Sequence, residues 1–357
     1  MEKMNNFYKN KKILVTGATG FKGSWLCCWL LQMGAKVYGT GFSPNQNKNL
    51  FYKLKLKKKI KLGIFDIRDK KKLDRFIAKS RPAIIFHLAA QPLIIESYLR
   101  PHKTIDVNVG GTLNILEASK NYKFIKSVVM ITSDKCYENV GKLTRYKEND
   151  ELGGIDPYSV SKSSSELIIR AYRESFFKNK RKCGISSARA GNVIGGGDWS
   201  ANRLIPDGIK SLLSGKSIYL RNPKFNRPWQ HVLEPLRGYL ILAKKQYFKP
   251  NKYSDAWNFG TKNNSVKSVK EIIEYVISFW GSGKIRYNKK IKYYEQKNLQ
   301  LDIKKAKKNL NWNPTYSVKN GVKITTEWYK DVLRHKKDPY KVTINQILGY
   351  MNENKWS

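Results

Sequence analysis

The sequence predicts an α/β fold: a doubly wound parallel sheet followed by a smaller mixed α/β portion. Three observations carry that expectation. Short apolar runs read as buried strands, helix-forming stretches separate them at one-helix spacing, and a glycine-rich turn closes the first strand. With 357 residues the chain can hold one large or two ordinary domains, each with its own core.

The first strand is Lys12 to Thr16 (KILVT), and it passes through GATGFKG into the amphipathic run Ser24 to Met33. Gly17, Gly20 and Gly23 let backbone approach a pyrophosphate, while the helix N-terminus points its free N–H groups at the negative charge. The next strand, Lys36 to Phe42, arrives one helix later, as a βαβ unit requires. Its end offers Gly39, Thr40, Gly41, Phe42 and Ser43, with no acid to hold adenosine ribose hydroxyls, so that position leaves NAD and NADP both open.

Strand Lys61 to Phe65 leads into Asp66, Ile67 and Arg68, and strand Ala83 to His87 leads into Leu88, Ala89, Ala90 and Gln91. Ligands of open parallel sheets bind at this carboxyl edge, which puts Asp66 near an adenine amine and Ala89 and Ala90 beneath a dinucleotide. His87 reads as a satisfied core residue. Helix Val107 to Lys120 and strand Ser127 to Thr132 repeat the unit, so the sheet is of the Rossmann type. The division expected is residues 8–190 for a dinucleotide-binding domain and 191–357 mainly for a substrate domain. WNFG (Trp257 to Gly260) is expected to return as a strand to the first sheet. The tail from Ser317 to Ser357 reads as partly helical and amphipathic, without a motif.

Two constellations carry chemistry. The strand Ser127 to Thr132 delivers Ser133, Asp134, Lys135, Cys136 and Tyr137 at its carboxyl end. DPYSVSK (Asp156 to Lys162) sets Tyr158 and Lys162 one helical turn apart. A phenol titrates near pH ~10 and becomes a base at neutral pH only when a fixed cation stabilises the phenolate, which Lys162 would do. That spacing alone is weak, since an exposed helix face produces it too. Right-handed connections bring both constellations to one crevice. Cys136 is not expected to act as a nucleophile, because no histidine is placed by sequence to activate it.

The charge is +42, from 69 basic and 27 acidic side chains. The lysines are scattered through Lys53 to Lys61, Lys70 to Lys72, Lys289 to Lys292 and Lys304 to Lys308, without an arginine-aromatic RNA motif. They read as a solvated surface, so a nucleic-acid partner is not expected. Cys27, Cys28, Cys136 and Cys183 form no CxxC pair and no zinc spacing with histidine, and are expected as reduced thiols with no metal. The opening MEKMNNFYKNKK precedes only a short apolar strand, so neither a signal peptide nor a membrane span is expected and a cytosolic location is.

TGATGFKGSWL (Thr16 to Leu26), FHLAAQPL (Phe86 to Leu93), ITSDKCYEN (Ile131 to Asn139), GGIDPYSVSK (Gly153 to Lys162), ARAGNVIGGGDW (Ala188 to Trp199), RLIPD (Arg203 to Asp207) and RPWQHVLEPL (Arg227 to Leu236) together resemble the extended short-chain dehydrogenase/reductases. Within that superfamily they are most similar to the CDP-glucose 4,6-dehydratases. The resemblance implies an NAD-dependent oxidation, dehydration and reduction of a nucleotide sugar, with NAD retained as a prosthetic group. It also implies a homo-oligomer and a place in deoxysugar and O-antigen biosynthesis. The implied catalytic residues are Ser133, Asp134, Lys135, Tyr158 and Lys162. Cofactor contacts are implied for Gly17, Thr19, Gly20, Phe21, Lys22, Gly23, Asp66, Ile67, Ala89, Ala90, Gln91, Asn108, Tyr158 and Lys162. Substrate contacts are implied for Gln91, Asn192, Arg203, Leu204, Arg221, Arg227 and His231, the arginines suiting a pyrophosphate by their planar fork.

The dTDP-glucose relatives carry an Asp-Glu pair where this chain has Asp134 and Lys135, which is the sharpest substrate clue. Trp199, Trp229 and Trp257 suit core packing and base stacking equally. Two other readings stay open: another nucleotide-sugar dehydratase, epimerase or decarboxylase, and a non-catalytic binding protein. Ser133, Tyr158 and Lys162 together argue against the last.

Overall fold

The computed structural model describes residues 4–42, 49–141, 145–179, 182–220, 222–262, 266–287 and 299–356; Ser43, Arg221, Lys289, Lys290 and Lys292 lie outside them. Seven strands form the central sheet: β1 (Lys12–Thr16), β2 (Lys36–Gly41), β3 (Lys61–Ile64), β4 (Ile84–His87), β5 (Ser127–Ile131), β6 (Gly184–Ala190) and β7 (Ala256–Phe259). Their order is β7-β6-β5-β4-β1-β2-β3 and every neighbouring pair is parallel. The returning strand expected at WNFG is β7, which pairs Trp257 with Ala188 of β6.

Parallel strands covered on both faces need apolar side chains on both, and these have them. Ile13, Val15, Ile84, Phe86 and Val129 point into one apolar cluster with Trp25 and Trp29 of helix Phe21–Gln32 and Leu236 and Leu240 of helix Leu233–Phe248. Their alternates Leu14, Ile85, Val128 and Met130 enter a second cluster with Leu73 and Ile77 of helix Lys70–Ser80, Ile115 and Leu116 of helix Gly111–Asn121, and Ile169 of helix Pro157–Tyr172. The first cluster runs from Phe7 to Trp356, so apolar packing crosses residue 190. Trp257 is buried in it through β7, and Trp229 joins it; Trp199 is partly buried, edge-on to Tyr329 with ring centroids 5.3 Å apart.

The expected helix Val107 to Lys120 departs from its reading. The chain is α-helical over Pro101–Ile105, widens to a π turn over Asp106–Gly110, and resumes as Gly111–Asn121. The wide turn carries Asn108, which binds the backbone of Gln91. Helix Pro157–Tyr172 starts cleanly: Asp156 Oδ1 accepts from the N–H groups of Tyr158 and Ser159, both at 3.0 Å, and Pro157 takes the first helical position.

The tail forms helices Val318–Leu333 and Pro339–Glu353, capped by Ser317 and Asp338. Its anchor is the buried carboxylate of Glu234, which accepts from Tyr316 N at 2.6 Å, Thr315 N at 3.0 Å and the Tyr350 hydroxyl at 2.6 Å. Trp29 meets Tyr350 edge-on at 5.7 Å. No helix among the described residues is long and apolar enough to cross a membrane.

Helix Phe21–Gln32 rests directly on the turn after β1. A Cβ on Gly23 would stand 2.1 Å from the carbonyl oxygen of Gly17. Gly23→Ala is therefore expected to cost about 1–3 kcal/mol through overpacking against backbone. A lowered thermal unfolding midpoint with the same secondary-structure spectrum checks it.

Candidate active site

The sheet reverses its winding between β1 and β4, and the crevice beyond their carboxyl ends is where an open parallel sheet binds ligands. Gly17 leaves β1 with φ +69°, and a Cβ there would lie 2.7 Å from Ala89 N and 2.8 Å from Leu88 C. Only glycine permits both the left-handed conformation and the contact. The two strand ends are tied as well: Leu88 N donates to Thr16 O at 3.1 Å, and Ala89 N to Thr16 Oγ1 at 3.3 Å. Gly20 precedes helix Phe21–Gln32 in extended backbone, φ −79°, and a Cβ there would meet only Gly17 O at 3.2 Å. The outer side of the turn is thus open where the helix presents its free N–H groups.

His87 is the core residue expected: Nδ1 lies 2.7 Å from Thr16 Oγ1, and burial pulls its pKa down to about 3. The end of β2 is glycine for a steric reason, since a Cβ on Gly41 would stand 2.3 Å from Thr19 Oγ1. Asp66 is held by Arg68 at 2.7 Å, and Arg68 also reaches Asp106 at 2.6 Å. The Arg68 hydrogen bond keeps the Asp66 carboxyl below its usual range.

Four expectations need correction or limitation. The Ile67 side chain is buried against Gly111 in the second core cluster, so only its backbone remains for a cofactor. The Gln91 side chain is spent on its own turn, with Nε2 donating to Thr104 Oγ1 at 2.8 Å and Leu93 O at 3.1 Å, and Oε1 accepting from Leu93 N. Its role is to shape the loop. His231 is 1% exposed and its ring sits edge-on between Trp25 and Tyr316, each 5.8 Å away, with a pKa pulled down by burial to about 3. It is a neutral core ring rather than a substrate contact, because apolar packing surrounds it on both sides. Arg221 lies outside the described residues.

The remaining residues converge. The Ser133 hydroxyl donates to Asp134 Oδ1 at 2.9 Å, accepts from Lys135 N at 3.2 Å, and lies close enough to the Tyr158 phenol to work against the rise in its pKa. Tyr158 is 8% exposed and Lys162 5%, with Lys162 Nζ 5.9 Å from the centre of the phenol ring. Asp134 is buried, and Gly191 just beyond β6 makes room for it: a Cβ there would sit 3.1 Å from Asp134 Oδ2. The charges of Lys135, Lys22 and Arg227 act on Asp134, and that of Arg203 on Tyr158 and Lys22. Arg203, just before helix Leu204–Leu213, is aimed by Asp198 at 2.8 Å. Asn192 is partly buried, and its carbonyl accepts from Gln230 N at 3.0 Å.

Burial drives Asp134, Tyr158, Lys22 and Lys162 toward their neutral forms. It raises the Asp134 pKa against the pull of Lys135, Ser133, Lys22 and Arg227. It lowers Lys22 and Lys162 to about 8 each. It pushes Tyr158 up to about 12, so the expectation of a phenol lowered by Lys162 is not met by the chain's own groups. Enclosure costs the phenolate more than the neighbouring cations return. The result is a phenol, a carboxyl that keeps its proton to higher pH than usual and two amines near their titration range, a set that suits proton transfer.

The sequence reading passed over Glu166 and Arg189, a buried ion pair at 2.7 Å behind these groups. Signals were present: Glu166 lies four residues beyond Lys162 on the same helix face, and Arg189 is a charge inside an otherwise uncharged strand.

Residues 14–325 match the family described as GDP-mannose 4,6 dehydratase. CDP-glucose 4,6-dehydratase of Salmonella typhimurium is 42% identical over 352 residues, 97% of this chain and 98% of the relative. CDP-paratose 2-epimerase of Salmonella typhi is 26% identical over 90% of this chain and its whole length. Among solved structures, dTDP-glucose 4,6-dehydratase of Bacillus anthracis in complex with NAD aligns with TM-score 0.76 at 25% identity, covering 90% of this chain and 97% of that one. UDP-glucose 4-epimerase of Thermotoga maritima with UDP-glucose shares the fold at TM-score 0.77 and 23% identity, covering 90% and 99%.

Cys136 follows Ser133, Asp134 and Lys135 yet is fully buried, and burial raises its thiol pKa far above the ordinary value. None of the four cysteines is in a disulfide, and all are buried. A thiol-specific reagent is expected to react with none of the four in the native protein and with all of them after denaturation. Rapid native labelling of Cys136 would reinstate it as a nucleophile.

Proposed function

The chain belongs to the GDP-mannose 4,6-dehydratase family, and from that premise we propose that it converts CDP-glucose to CDP-4-dehydro-6-deoxyglucose by oxidation, loss of water and reduction in one site. The observation that carries the reading is the gathering of Ser133, Asp134, Tyr158 and Lys162, with Lys135 on the same segment, in a chain 42% identical to a CDP-glucose 4,6-dehydratase.

NAD fits as the resident cofactor. The turn after β1 packs backbone on backbone on its inner side, where Gly17 and Gly23 leave no room for side chains, while Gly20 leaves the outer side open to a pyrophosphate. Gly17, Thr19, Gly20, Phe21, Lys22 and Gly23 would hold its pyrophosphate, with Asp66, the Ile67 backbone, Ala89 and Ala90 along its length, and Asn108 would fix the backbone of Gln91 beneath it. Bound there, NAD supplies the hydride acceptor for carbon 4, the hydride returned to carbon 6, and a positively charged ring.

The chain's own groups handle the protons. Tyr158, as the phenolate that the Lys162 ammonium and the positive charge of a bound cofactor would together stabilise, takes the proton of the carbon-4 hydroxyl while Ser133 hydrogen-bonds the same oxygen. The resulting ketone acidifies the proton on carbon 5. Lys135 removes that proton, Asp134 protonates the carbon-6 hydroxyl, and water departs as the carbon 5–carbon 6 double bond forms. Asp134 suits the acid because burial keeps it protonated to higher pH than an ordinary carboxyl. The proton held by Lys135 returns to carbon 5 at the end, and the proton Tyr158 took from the carbon-4 hydroxyl is exchanged through solvent for the one Asp134 gave to the departing water, so each group is reset.

The part from 191 to 357 holds the nucleotide sugar. Asn192, Arg203, Leu204 and Arg227 are its contacts, the two arginines meeting the pyrophosphate. A cytoplasmic homo-oligomer serving deoxysugar assembly, as for an O-antigen, completes the proposal, with neither nucleic acid nor membrane as partner.

Incubation with CDP-glucose, dTDP-glucose, UDP-glucose and GDP-mannose tests the substrate. Alkali-treated product should absorb near ~320 nm, as 4-keto-6-deoxy sugars do, with CDP-glucose alone or foremost. Preference for another base would defeat the assignment. Tyr158→Phe is expected to lower turnover by about 10²–10⁴-fold while NAD stays bound on purification.

Lys135→Met separates the half-reactions. Oxidation should proceed and elimination stop, so that the reduced-cofactor absorbance rises and does not decay. Normal product formation would remove Lys135 from the base role, and loss of the first oxidation would assign it to positioning.

A further inference from the structure

Behind the catalytic groups, Glu166 and Arg189 form a salt bridge at 2.7 Å with each side chain 3% exposed. Glu166 Oε1 accepts from Thr132 Oγ1 at 2.5 Å, and Oε2 accepts from Ser187 Oγ at 2.7 Å. Arg189 Nη1 donates to the Tyr137 hydroxyl at 2.7 Å and to Glu148 O at 2.9 Å, and that hydroxyl donates to Asn258 Oδ1 at 2.8 Å. Thr132 and Tyr137 bracket the segment Ser133 to Cys136. The two residues at its ends are therefore fastened to opposite members of one ion pair, and Glu166 sits on the helix that carries Tyr158 and Lys162.

We propose that Glu166 and Arg189 are positioning residues for the reaction. The pair clamps both ends of the Ser133–Cys136 segment against the catalytic helix, and keeps a fixed negative charge one turn behind Lys162. The proposal rests on the dehydratase reading for the roles of Ser133, Asp134, Lys135 and Lys162.

A buried pair of charges is costly unless its hydrogen bonds are filled, and removing one member strands the other. A network of this kind is weak evidence for stability, and its hydrogen bonds rigidify the segments they join. The electrostatics point the same way. Lys162 faces Tyr158 and Glu166 on its own helix, Cys136 from the segment after β5, His87 from β4, and Lys22 from helix Phe21–Gln32. Burial lowers its pKa to about 8, while Cys136 and Glu166 act to raise it. The Cys136 thiol stays neutral in the working range because burial pushes its pKa up, and His87 is neutral too. Glu166 is ionised, since Arg189 and three hydrogen bonds outweigh its burial. It is therefore the anion that keeps the proton on Lys162. Loss of its charge lowers the Lys162 pKa, so the ammonium form is lost at lower pH.

The test uses the purified holoenzyme and needs no turnover. Lys162 acylation by acetic anhydride, followed across pH by mass spectrometry, is expected to shift its midpoint down by about one pH unit in Glu166→Gln, the scale of losing an opposite charge nearby. Glu166→Gln/Arg189→Met, which strands no charge, should show the same shift if the single variant folds poorly. An unmoved midpoint in both overturns the electrostatic role. Thr132→Val and Tyr137→Phe cut the ties without changing charge; both should leave that midpoint in place and raise amide hydrogen exchange across Ser133–Cys136. Wild-type exchange in both variants overturns the clamp. Failure of CDP-glucose to react would instead reject the dehydratase reading, and the labelling and exchange results would still decide the role of the pair.

Discussion

Three stretches of backbone meet at the turn after β1 with no side chain between them: Gly17 against Leu88 and Ala89, and Gly23 over the carbonyl of Gly17. This contact sets the position of helix Phe21–Gln32 relative to the sheet. With it come the helix N-terminus, the edge of the crevice at the winding reversal, and Lys22 beside Asp134 and Lys162. A methyl group anywhere in the contact would push the helix off the strand end, and the cofactor cradle with it. The glycines are thus the condition on which the site is built, and burial of both sheet faces supplies the free energy that holds the elements against one another.

The chemistry follows from enclosure. Asp134, Tyr158, Lys162 and Lys22 have all been taken out of water, and each is driven toward neutrality. Amines close to their titration range and a carboxyl that holds its proton to higher pH than usual suit proton exchange with a bound ligand, while the phenol needs further positive charge beside it before it can act as a base. The charge that remains is placed behind the site, in Glu166 and Arg189, or at its mouth, in Arg203 and Arg227. Asp198 aims Arg203, and Glu166 anchors Thr132 at the start of the Ser133–Lys135 segment.

Within the second half of the chain, the tail is joined to the segments before it through a few buried polar anchors set in aromatic packing. Glu234 gathers the N–H groups of Thr315 and Tyr316 and the hydroxyl of Tyr350, and the Tyr329 hydroxyl donates to Asp198 O at 2.6 Å. These contacts tie helices Val318–Leu333 and Pro339–Glu353 to the segment that holds Arg203. A tail without a sequence motif is therefore part of the framework of the site.

The sequence by itself determined the sheet, because buried parallel strands are continuous apolar runs: β1 falls at the residues read for it, and β2, β3, β4, β5 and β7 fall within one residue of their expected ends. It also determined which residues could do chemistry, since Tyr158 and Lys162 are local neighbours on a helix and Ser133 to Lys135 are contiguous at a strand end. What it could not determine was the environment of each. The sign of the Tyr158 shift, the core placement of His231 between Trp25 and Tyr316, the spending of the Gln91 amide on its own loop, and the pairing of Glu166 with Arg189 all depend on residues distant in the chain. The π turn at Asp106–Gly110 belongs here too, where an unbroken helix was read and Asn108 instead meets Gln91. Periodicity and motif are properties of neighbouring residues and survive in one dimension. Burial, charge pairing and hydrogen-bond satisfaction are set by what the rest of the chain brings alongside, and only the tertiary structure decides them.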